Sequence, residues 1–260
     1  MKTVTNEAEK VLTEAAGDVL LTLDLKQRRI GIDTWGAATP TADQANQAVI
    51  IPEVEARENY DFVYRFLKRT IDVIFAASIL IVASPLILVV GILIKLSSQG
   101  PVFYRQERTG KYGKRFDMYK FRTMRNGSES LKRELKKSSH LKWPDFKVKN
   151  DPRVTRIGNV LRKLSMDEIP NFINVLKGEM SLVGPRPTSF RSEAYKDWQK
   201  LRLRATPGLT GLQQVSGRAN LQFDERVLLD IKYVLYQSIT LDLYILIRTI
   251  FVVLSMKGSY

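Results

Sequence analysis

The chain has 260 residues, of which 44% are hydrophobic and 26% are charged, a composition that suits one sizeable domain with an appendage. It contains no cysteine and a single histidine, His140. Disulfides and zinc sites built from thiolates or histidine clusters are therefore excluded. Any metal must be bound by oxygen ligands, which favours Mg²⁺, Mn²⁺ or Ca²⁺.

Positive charge is concentrated in the body of the chain. Residues 1–60 carry 6 basic and 10 acidic side chains, a net charge of −4, whereas residues 61–260 carry 35 and 17, a net charge of +18. A basic body suits nucleic acid, an anionic membrane or phosphorylated substrates as partners. Residues 1–60 contain no chemical motif, and we interpret them as an N-terminal extension of unknown role.

The segment 73–94 is an apolar run of 22 residues without a charge. A helix of that length measures about 33 Å, which matches the roughly 30 Å hydrocarbon core of a bilayer. Pro85, in the middle of the run, removes the hydrogen bond to the Ile81 carbonyl, and the Ser84 hydroxyl can satisfy the freed group. Basic residues flank both ends, so the positive-inside rule gives no direction. A kinked spanning helix and a broken, re-entrant helix both satisfy this pattern.

Two further segments have recognisable periodicity. Residues 116–121 alternate as a strand does. The apolar run 239–254 carries Asp242 and Arg248, which disfavour a second span. We predict a core helix there with part of one face touching lipid, and a helix lying in the membrane interface is the alternative. Asp230, in an apolar and helix-like stretch, needs a partner such as an arginine.

A helix is predicted over residues 166–177. Ser165 and Glu168 have the spacing of a capping box, in which each side chain bonds a free backbone N–H at the helix start. Apolar residues follow at helical intervals, and Gly178 stands where a helix commonly ends. Pro170, close to the start, is tolerated there or kinks the helix.

Asp167 and Glu168 fall in the first turn of this helix, where two interpretations compete. Acidic side chains stabilise a helix N-terminus through its dipole, so the pair can be purely structural. The same position can bind phosphate, and two adjacent carboxylates can bind a divalent cation and present an oxygen to phosphorus. Arg162 lies just upstream and could hold the phosphate.

The sequence Gly-Pro-Arg-Pro at 184–187 places two prolines around Arg186. A guanidinium offers a planar, two-pronged donor for phosphate oxygens, and a stiff backbone reduces the entropy lost in binding. Because a turn by itself does not need an arginine, we predict a phosphate role here. Two glycine-containing pieces, 206–211 and 215–218, are either ordinary turns or bring backbone N–H groups or Arg218 to a phosphate or a base.

Nine motifs occur in one order between Tyr64 and the C-terminus: R-x-x-D at 69–72, SP at 84–85, YKFRTM at 119–124, DPRVT at 151–155, LSMDE at 164–168, NVLKG at 174–178, GPRP at 184–187, PGLTG at 207–211 and VSGR at 215–218. In these motifs the sequence resembles the monotopic polyprenyl-phosphate phosphoglycosyl transferases, also called the bacterial sugar transferase family. The resemblance departs from the pattern at Leu212, where many relatives carry an aromatic residue.

The resemblance implies a mostly helical α+β fold. It implies a membrane-embedded re-entrant helix, broken at Ser84 and Pro85, with interfacial helices. The catalytic domain would face the cytoplasm at the bacterial inner membrane. The corresponding division of the chain is an extension at 1–60, a membrane helix at 61–99 and a catalytic domain at 100–260.

The resemblance also implies a reaction. Asp167 would attack the β-phosphate of a UDP-sugar and expel UMP, and polyprenyl (undecaprenyl) phosphate would resolve the aspartyl-phosphosugar intermediate. Mg²⁺ would bind at Asp167 and Glu168. The residues implied to line the substrate site are Lys120, Arg122, Arg162, Arg186, Arg218 and Asp230. The implied partners are a UDP-sugar, polyprenyl phosphate and the lipid bilayer, without nucleic acid.

The product would begin an exopolysaccharide, a capsule or another glycoconjugate, and the sequence does not say which sugar is transferred. A membrane homodimer is compatible with the sequence. Three other functions compete: a membrane-anchored protein that binds nucleic acid or anionic lipid, an inactive partner in polysaccharide assembly, and direct glycosyl transfer with release of UDP.

Overall fold

The computed structural model of the protein describes residues 62–125, 127, 151–216 and 222–254. The predicted extension at 1–60 and His140 lie outside these ranges. The fold is mostly helical with two small sheets, as the α+β prediction requires.

The first element is α1 (Phe62–Ser97), a 36-residue helix that contains the whole apolar run. Only 11% of its most apolar window is buried within the protein, and Ile81 and Val82 are 73% and 79% exposed. Within the described ranges it is the one helix long and apolar enough to cross a membrane. An apolar surface of this extent is unfavourable in water and favourable in lipid.

α1 is continuous through Ser84 and Pro85, where the resemblance implies a break between two helices. The Ser84 hydroxyl donates to the Ile81 carbonyl oxygen at 2.8 Å. That oxygen is the one that Pro85 leaves without its N–H partner, so the predicted compensating bond is present. Whether the helix spans the bilayer or re-enters the same leaflet stays a prediction.

Two short sheets follow α1. Strands β1 (Phe103–Thr109) and β2 (Arg115–Phe121) pair as an antiparallel hairpin, which confirms the strand predicted over 116–121. Strands β3 (Ser181–Val183) and β4 (Gly208–Thr210) pair in parallel. The hairpin lies next to the acidic pair, and the parallel pair supports the loop that carries Arg186.

Helices make up most of the remaining described chain. They are α2 (Arg156–Lys163), α3 (Asn171–Lys177), α4 (Asp197–Lys200), α5 (Leu212–Val215), α6 (Phe223–Tyr236) and α7 (Ile239–Leu254). Single 3₁₀ turns occur at Lys111–Gly113, Met166–Glu168, Ser192–Ala194 and Leu201–Arg204. The principal core joins one end of α1 to α3, β3, α6 and α7 through residues such as Val175, Leu182, Tyr233 and Ile245.

The helix predicted over residues 166–177 is wrong in its first part. Ser165 has a left-handed backbone with φ of 55°, and its side chain makes no capping bond, so the capping box does not form. The acidic pair lies in the 3₁₀ turn Met166–Glu168, and α3 begins only after Pro170. Proline cannot bond back to the carbonyl four residues earlier, which separates the two elements. The predicted end is confirmed, since Gly178 adopts φ of 79°.

The R-x-x-D motif fastens α1 to the rest of the protein. Arg69 donates to two carbonyl oxygens in the last turn of α3, at 2.6 and 2.7 Å. The Asp72 carboxylate accepts from the Ser181 hydroxyl at 3.1 Å and the Leu182 N–H at 3.0 Å. Because these bonds join α1 to α3 and β3, the long apolar helix and the body are positioned together.

α7 occupies the predicted residues and packs as a core helix. Ile245 is fully buried, whereas Ile247 and Phe251 are 55% and 64% exposed. Asp242 accepts from Lys68 of α1 at 2.6 Å and from the Tyr233 hydroxyl at 2.7 Å. The acidic residue that disfavoured a second span therefore joins α7 to α1. Contact of the exposed face with lipid stays a prediction.

Candidate active site

Glu168 is bound by two cations from distant parts of the chain. Its Oε1 accepts from Lys120 Nζ of β2 and from Arg186 Nη2, both at 2.9 Å. Burial pulls the pKa of Glu168 upward, but the charges of Arg186 and Lys120 outweigh burial and hold that pKa well below its usual range. Glu168 is therefore an ionised carboxylate at neutral pH.

Asp167, the neighbouring carboxylate, is in a different situation. It is half-buried, and among the described residues no lysine or arginine nitrogen lies within ion-pair distance of it. Burial raises the pKa of Asp167, and the negative charge of Glu168 adds to that effect. The charges of Lys120 and Arg162 oppose it. In the described part of the chain, Asp167 thus has carboxylate oxygens without an ion pair in a positive field.

Arg162 approaches the acidic pair from α2. Its Nε donates to the Thr123 hydroxyl at 2.9 Å, directly after β2, which orients the guanidinium. Burial lowers the pKa of Arg162, while the Asp167 carboxylate raises it. The two charges therefore favour one another, although they do not form a direct ion pair.

The loop after β3 presents Arg186 between two buried prolines. Pro185 and Pro187 are buried, whereas the Arg186 side chain is 44% exposed. Arg202 fixes the backbone below, because its Nη2 donates to the Arg186 carbonyl oxygen at 2.6 Å. The Glu168 carboxylate raises the pKa of Arg186, so the guanidinium stays charged. The two prolines thus flank an accessible guanidinium as the sequence predicts, and its binding of phosphate stays a prediction.

The glycine-containing piece at 206–211 packs against the Arg186 loop. A methyl group on Gly184 would clash with the Thr206 carbonyl oxygen, and one on Gly208 would clash with the Gly184 backbone. Glycine is needed at both positions because the two chains approach too closely for a Cβ atom. Of the two interpretations left open, the structural one accounts for these glycines.

Two residues predicted to line the substrate site have other contacts. Arg122 is 6% exposed, and its Nη2 donates to the carbonyl oxygens of Ile94 and Ser98 at 3.3 and 2.6 Å, at the C-terminal end of α1. Asp230 is 1% exposed and accepts from Arg202 Nε at 2.9 Å and Nη2 at 2.5 Å. The predicted arginine partner of Asp230 is thereby confirmed.

The structure therefore brings together Asp167, Glu168, Lys120, Arg162 and Arg186. Asp230 supports this group indirectly through Arg202, and Arg122 contacts the C-terminal end of α1. Arg218 lies outside the described residues, so its predicted role stays a prediction.

Arg108 was missed by the sequence reasoning. It lies on β1, and strand pairing places it on the same face of the hairpin as Lys120, since Tyr104 pairs with Lys120 and Arg108 with Phe116. Burial lowers the pKa of Arg108 to about 10, and the charge of Arg186 acts in the same direction. The signal that could have identified Arg108 is the alternation of side chains along β1, combined with the register that pairs this strand with β2.

Asp167 and Glu168 also form the part of the site that suits a metal. Within the described ranges no cluster of three or more His, Cys, Asp or Glu side chains could hold a metal ion. Mg²⁺ commonly takes one or two protein carboxylates and completes its shell with water and substrate phosphates. Two adjacent carboxylates, of which Asp167 has no ion pair within the described ranges, fit such a partial shell.

A family model described as bacterial sugar transferase matches residues 63–256. The chain is 45% identical over 201 residues to the undecaprenyl-phosphate galactose phosphotransferase of Salmonella typhimurium, covering 75% of this chain and 42% of the relative. It is 43% identical over 198 residues to the exopolysaccharide production protein ExoY of Sinorhizobium fredii, covering 74% and 88%.

A third relative is the UDP-glucose:undecaprenyl-phosphate glucose-1-phosphate transferase of Escherichia coli, 38% identical over 207 residues, with 76% of this chain and 42% of the relative covered. The chain therefore matches less than half the length of the Salmonella and Escherichia relatives and most of the length of the Sinorhizobium protein.

Proposed function

The chain belongs to the bacterial sugar transferase family, and from this premise we propose that it transfers a sugar-1-phosphate from a UDP-sugar to undecaprenyl phosphate, with release of UMP. The observation that carries the proposal is the division of roles between two adjacent carboxylates. Glu168 is bound by Lys120 and Arg186, whereas Asp167 has no ion pair among the described residues. Such an arrangement leaves one carboxylate available as a nucleophile in a field that attracts phosphate.

In the first step, an Asp167 carboxylate oxygen attacks the β-phosphorus of the UDP-sugar. The bond from this phosphorus to the bridging oxygen breaks, and UMP leaves with that oxygen and the electron pair. In the second step, a phosphate oxygen of undecaprenyl phosphate attacks the same phosphorus. The bond to Asp167 breaks, the carboxylate is regenerated, and an undecaprenyl diphosphate sugar is formed.

The basic residues act on the charge that both steps move. Arg186 and Lys120 both donate to Glu168 Oε1 at 2.9 Å. Because they lie this close to the acidic pair, they can neutralise charge on the phosphate oxygens during transfer. Arg162 adds a third positive charge near Asp167. Catalysis of phosphoryl transfer depends largely on such positioning and charge stabilisation.

We propose that Asp167 and Glu168 also hold Mg²⁺. When bound, the ion would neutralise charge on the diphosphate of the donor. The second oxygen of Glu168 and the oxygens of Asp167 are the ligands that this chain offers, because Oε1 of Glu168 already has two partners.

A lipid acceptor requires the site to lie at a membrane surface. The exposed apolar surface of α1, and the exposed face of α7, support attachment to a bilayer. We propose the bacterial inner membrane, with the catalytic residues on the cytoplasmic side where nucleotide-sugars are made. A homodimer and a re-entrant path for α1 stay predictions.

The test is an assay of the purified protein in detergent with undecaprenyl phosphate, Mg²⁺ and a panel of UDP-sugars. We expect UMP release with one donor, loss of release with EDTA, and a radiolabelled phosphosugar attached to the protein when the acceptor is omitted. Release of UDP would instead identify direct glycosyl transfer. Release of UMP without a labelled protein would remove the covalent step and leave the overall reaction standing.

A further inference from the structure

Arg108 differs from Arg202 and Arg153 in having no carboxylate partner among the described residues. Arg202 has Asp230 and Arg153 has Asp151 as a carboxylate partner at 2.5 and 2.6 Å. Arg108 is half-buried, yet among the described residues its one hydrogen-bond partner is the neutral Gln106, from Nη2 to Oε1 at 2.6 Å.

Within the described ranges neither Nε nor Nη1 of Arg108 makes a hydrogen bond. Nε is buried without a hydrogen-bond partner in the described part of the chain. Leaving a charged, half-buried donor unpaired is unfavourable, so a site of this kind stands ready for an anion.

Two independent features place Arg108 beside the reaction site. The hairpin register puts it on the same face as Lys120, which binds Glu168. Its neighbour Thr109 pairs with Thr188, two residues after Arg186, with the Thr109 N–H donating to the Thr188 carbonyl oxygen at 2.9 Å. The charges of Arg186 and Glu168 accordingly act on Arg108.

The guanidinium groups of Arg108 and Arg186 are thus near enough to repel each other, and the single carboxylate of Glu168 attracts both. Arg186 is attracted to Glu168 directly, whereas Arg108 is left with a repulsive neighbour and a weaker attraction. A phosphate group bearing one or two negative charges would satisfy both arginines at once, because a guanidinium matches phosphate oxygens in geometry and charge.

We propose that Arg108 is a substrate-binding residue that, together with Arg186, binds a phosphate group at the reaction site. This inference rests on the proposed phosphosugar transfer. The phosphate can belong to the diphosphate of the nucleotide-sugar or to the polyprenyl phosphate. Both present the same oxygens, and the experiment separates them.

The experiment compares Arg108→Gln with Arg105→Gln in the full chain. Arg105 lies three residues before Arg108 on β1 and faces the opposite surface of the hairpin, where its guanidinium lies over the ring of Tyr119. Steady-state rates of UMP release are measured while each substrate is varied in turn. Titration calorimetry with UDP, and the melting temperature of each variant, are recorded beside them.

We expect Arg108→Gln to lower kcat/KM by roughly tenfold to a hundredfold, as loss of a charge-assisted hydrogen bond does, with the melting temperature close to that of the wild type. A higher KM for the UDP-sugar with weaker UDP binding assigns the phosphate to the donor. A higher KM for undecaprenyl phosphate with unchanged UDP binding assigns it to the acceptor. Either outcome supports the inference.

The inference is overturned if wild-type protein releases UMP and Arg108→Gln has the same kinetic constants as Arg105→Gln. If Arg108→Gln melts at a much lower temperature, Arg108→Lys carries the test. It keeps the charge and loses the two-pronged donor, so a smaller loss in the same constant is expected, and an unchanged constant contradicts the inference. If wild-type protein releases no UMP with any donor, the proposed function fails and the inference falls with it.

Discussion

Asp167 and Asp230 are both aspartates near arginines, but the protein surrounds them differently. Asp230 is 1% exposed, and Arg202 donates to it twice, at 2.5 and 2.9 Å. Asp167 is half-buried and has no ion pair among the described residues, although Lys120 and Arg162 act on its charge. Asp230 therefore supports structure, whereas Asp167 has a carboxylate without an ion pair in the described part of the chain, as the proposed attack on phosphorus requires.

The difference shows that basic side chains have two distinct roles in this chain. At Asp230 the positive charge of Arg202 forms an ion pair, and the same guanidinium donates to the Arg186 carbonyl oxygen and so positions that backbone. Around Asp167 the charges of Lys120, Arg162 and Arg186 exceed what the described carboxylates neutralise by direct pairing. Reactive sites commonly retain such imbalance at the expense of stability.

The largest effect is expected for Asp167→Asn, which removes the proposed nucleophile. UMP release should fall by at least about a thousandfold. Burial raises the pKa of Asp167 in the folded protein, so its stabilising contribution is full below the unfolded pKa and is lost as pH rises through the folded pKa. At neutral pH the neutral asparagine should therefore raise the melting temperature.

Parallel melting and activity measurements at pH 7.5 check this prediction. A variant that is inactive and also less stable than the wild type would assign Asp167 to the structure, like Asp230. Glu168→Gln is the matched comparison, because the pKa of Glu168 is lowered and loss of its charge should decrease stability.

The second largest effect is expected at the buried ion pair of Arg202 and Asp230. Arg202→Met leaves Asp230 buried without its cation, which should decrease the free energy of unfolding by about 3–5 kcal/mol. Denaturant unfolding in detergent, followed by tryptophan fluorescence, measures the change. The double variant Arg202→Met with Asp230→Leu removes the uncompensated charge and should recover most of the stability.

The activity of the double variant separates packing from positioning. Because Arg202 also donates to the Arg186 carbonyl oxygen, we expect UMP release to stay low after stability is recovered. Full activity in the double variant would show that the Arg186 loop is held by its prolines and by β3 and β4 without Arg202.

A smaller effect is expected when the field at Asp167 is weakened. Burial raises the pKa of Asp167 and Lys120 lowers it, so Lys120→Met should raise that pKa further. In the proposed mechanism Asp167 must be ionised to attack, so we expect activity above its pKa and loss of activity as pH falls through it. The acid limb of kcat/KM should move to higher pH, with a loss of roughly a hundredfold at pH 7.5.

Lys177→Met is the control for this pH profile. Lys177 is exposed and donates to the Tyr119 hydroxyl at 2.8 Å. Tyr119 directly precedes Lys120 on β2, so its side chain lies on the opposite face of the hairpin. The acid limb of Lys177→Met should coincide with that of the wild type. An unmoved limb in Lys120→Met as well would contradict the proposed role of Lys120.

The smallest effect is expected at a charge pair outside both regions. Lys200 and Asp197 form an exposed pair at 2.7 Å, three residues apart on α4. Lys200→Ala should change the free energy of unfolding by no more than about 0.5 kcal/mol and leave UMP release unchanged. A larger change in the same unfolding and activity measurements would mean that exposed charges of the body matter more than the comparison assumes.

Local sequence was sufficient for several elements. The uncharged run of 22 residues predicted a long apolar helix, alternation predicted β2, and apolar spacing predicted the helix at 239–254. These succeeded because periodicity and hydrophobic length act within a segment. The capping box at Ser165 failed for the complementary reason, since Pro170 and the left-handed backbone of Ser165 outweighed a favourable spacing.

By itself the sequence determined which chemistry is available: two adjacent carboxylates, a clamped Arg186 and an apolar helix, with no thiol and one imidazole. Only the tertiary structure decided which basic side chains lie next to the two carboxylates. Lys120 reaches Glu168 across 48 positions, Arg122 turns to the end of α1, and Asp230 is enclosed with Arg202. The register of the hairpin and the bridge between Thr109 and Thr188 place Arg108 near Lys120 and Arg186. Such pairings depend on contacts between distant segments, which no local pattern of residues records.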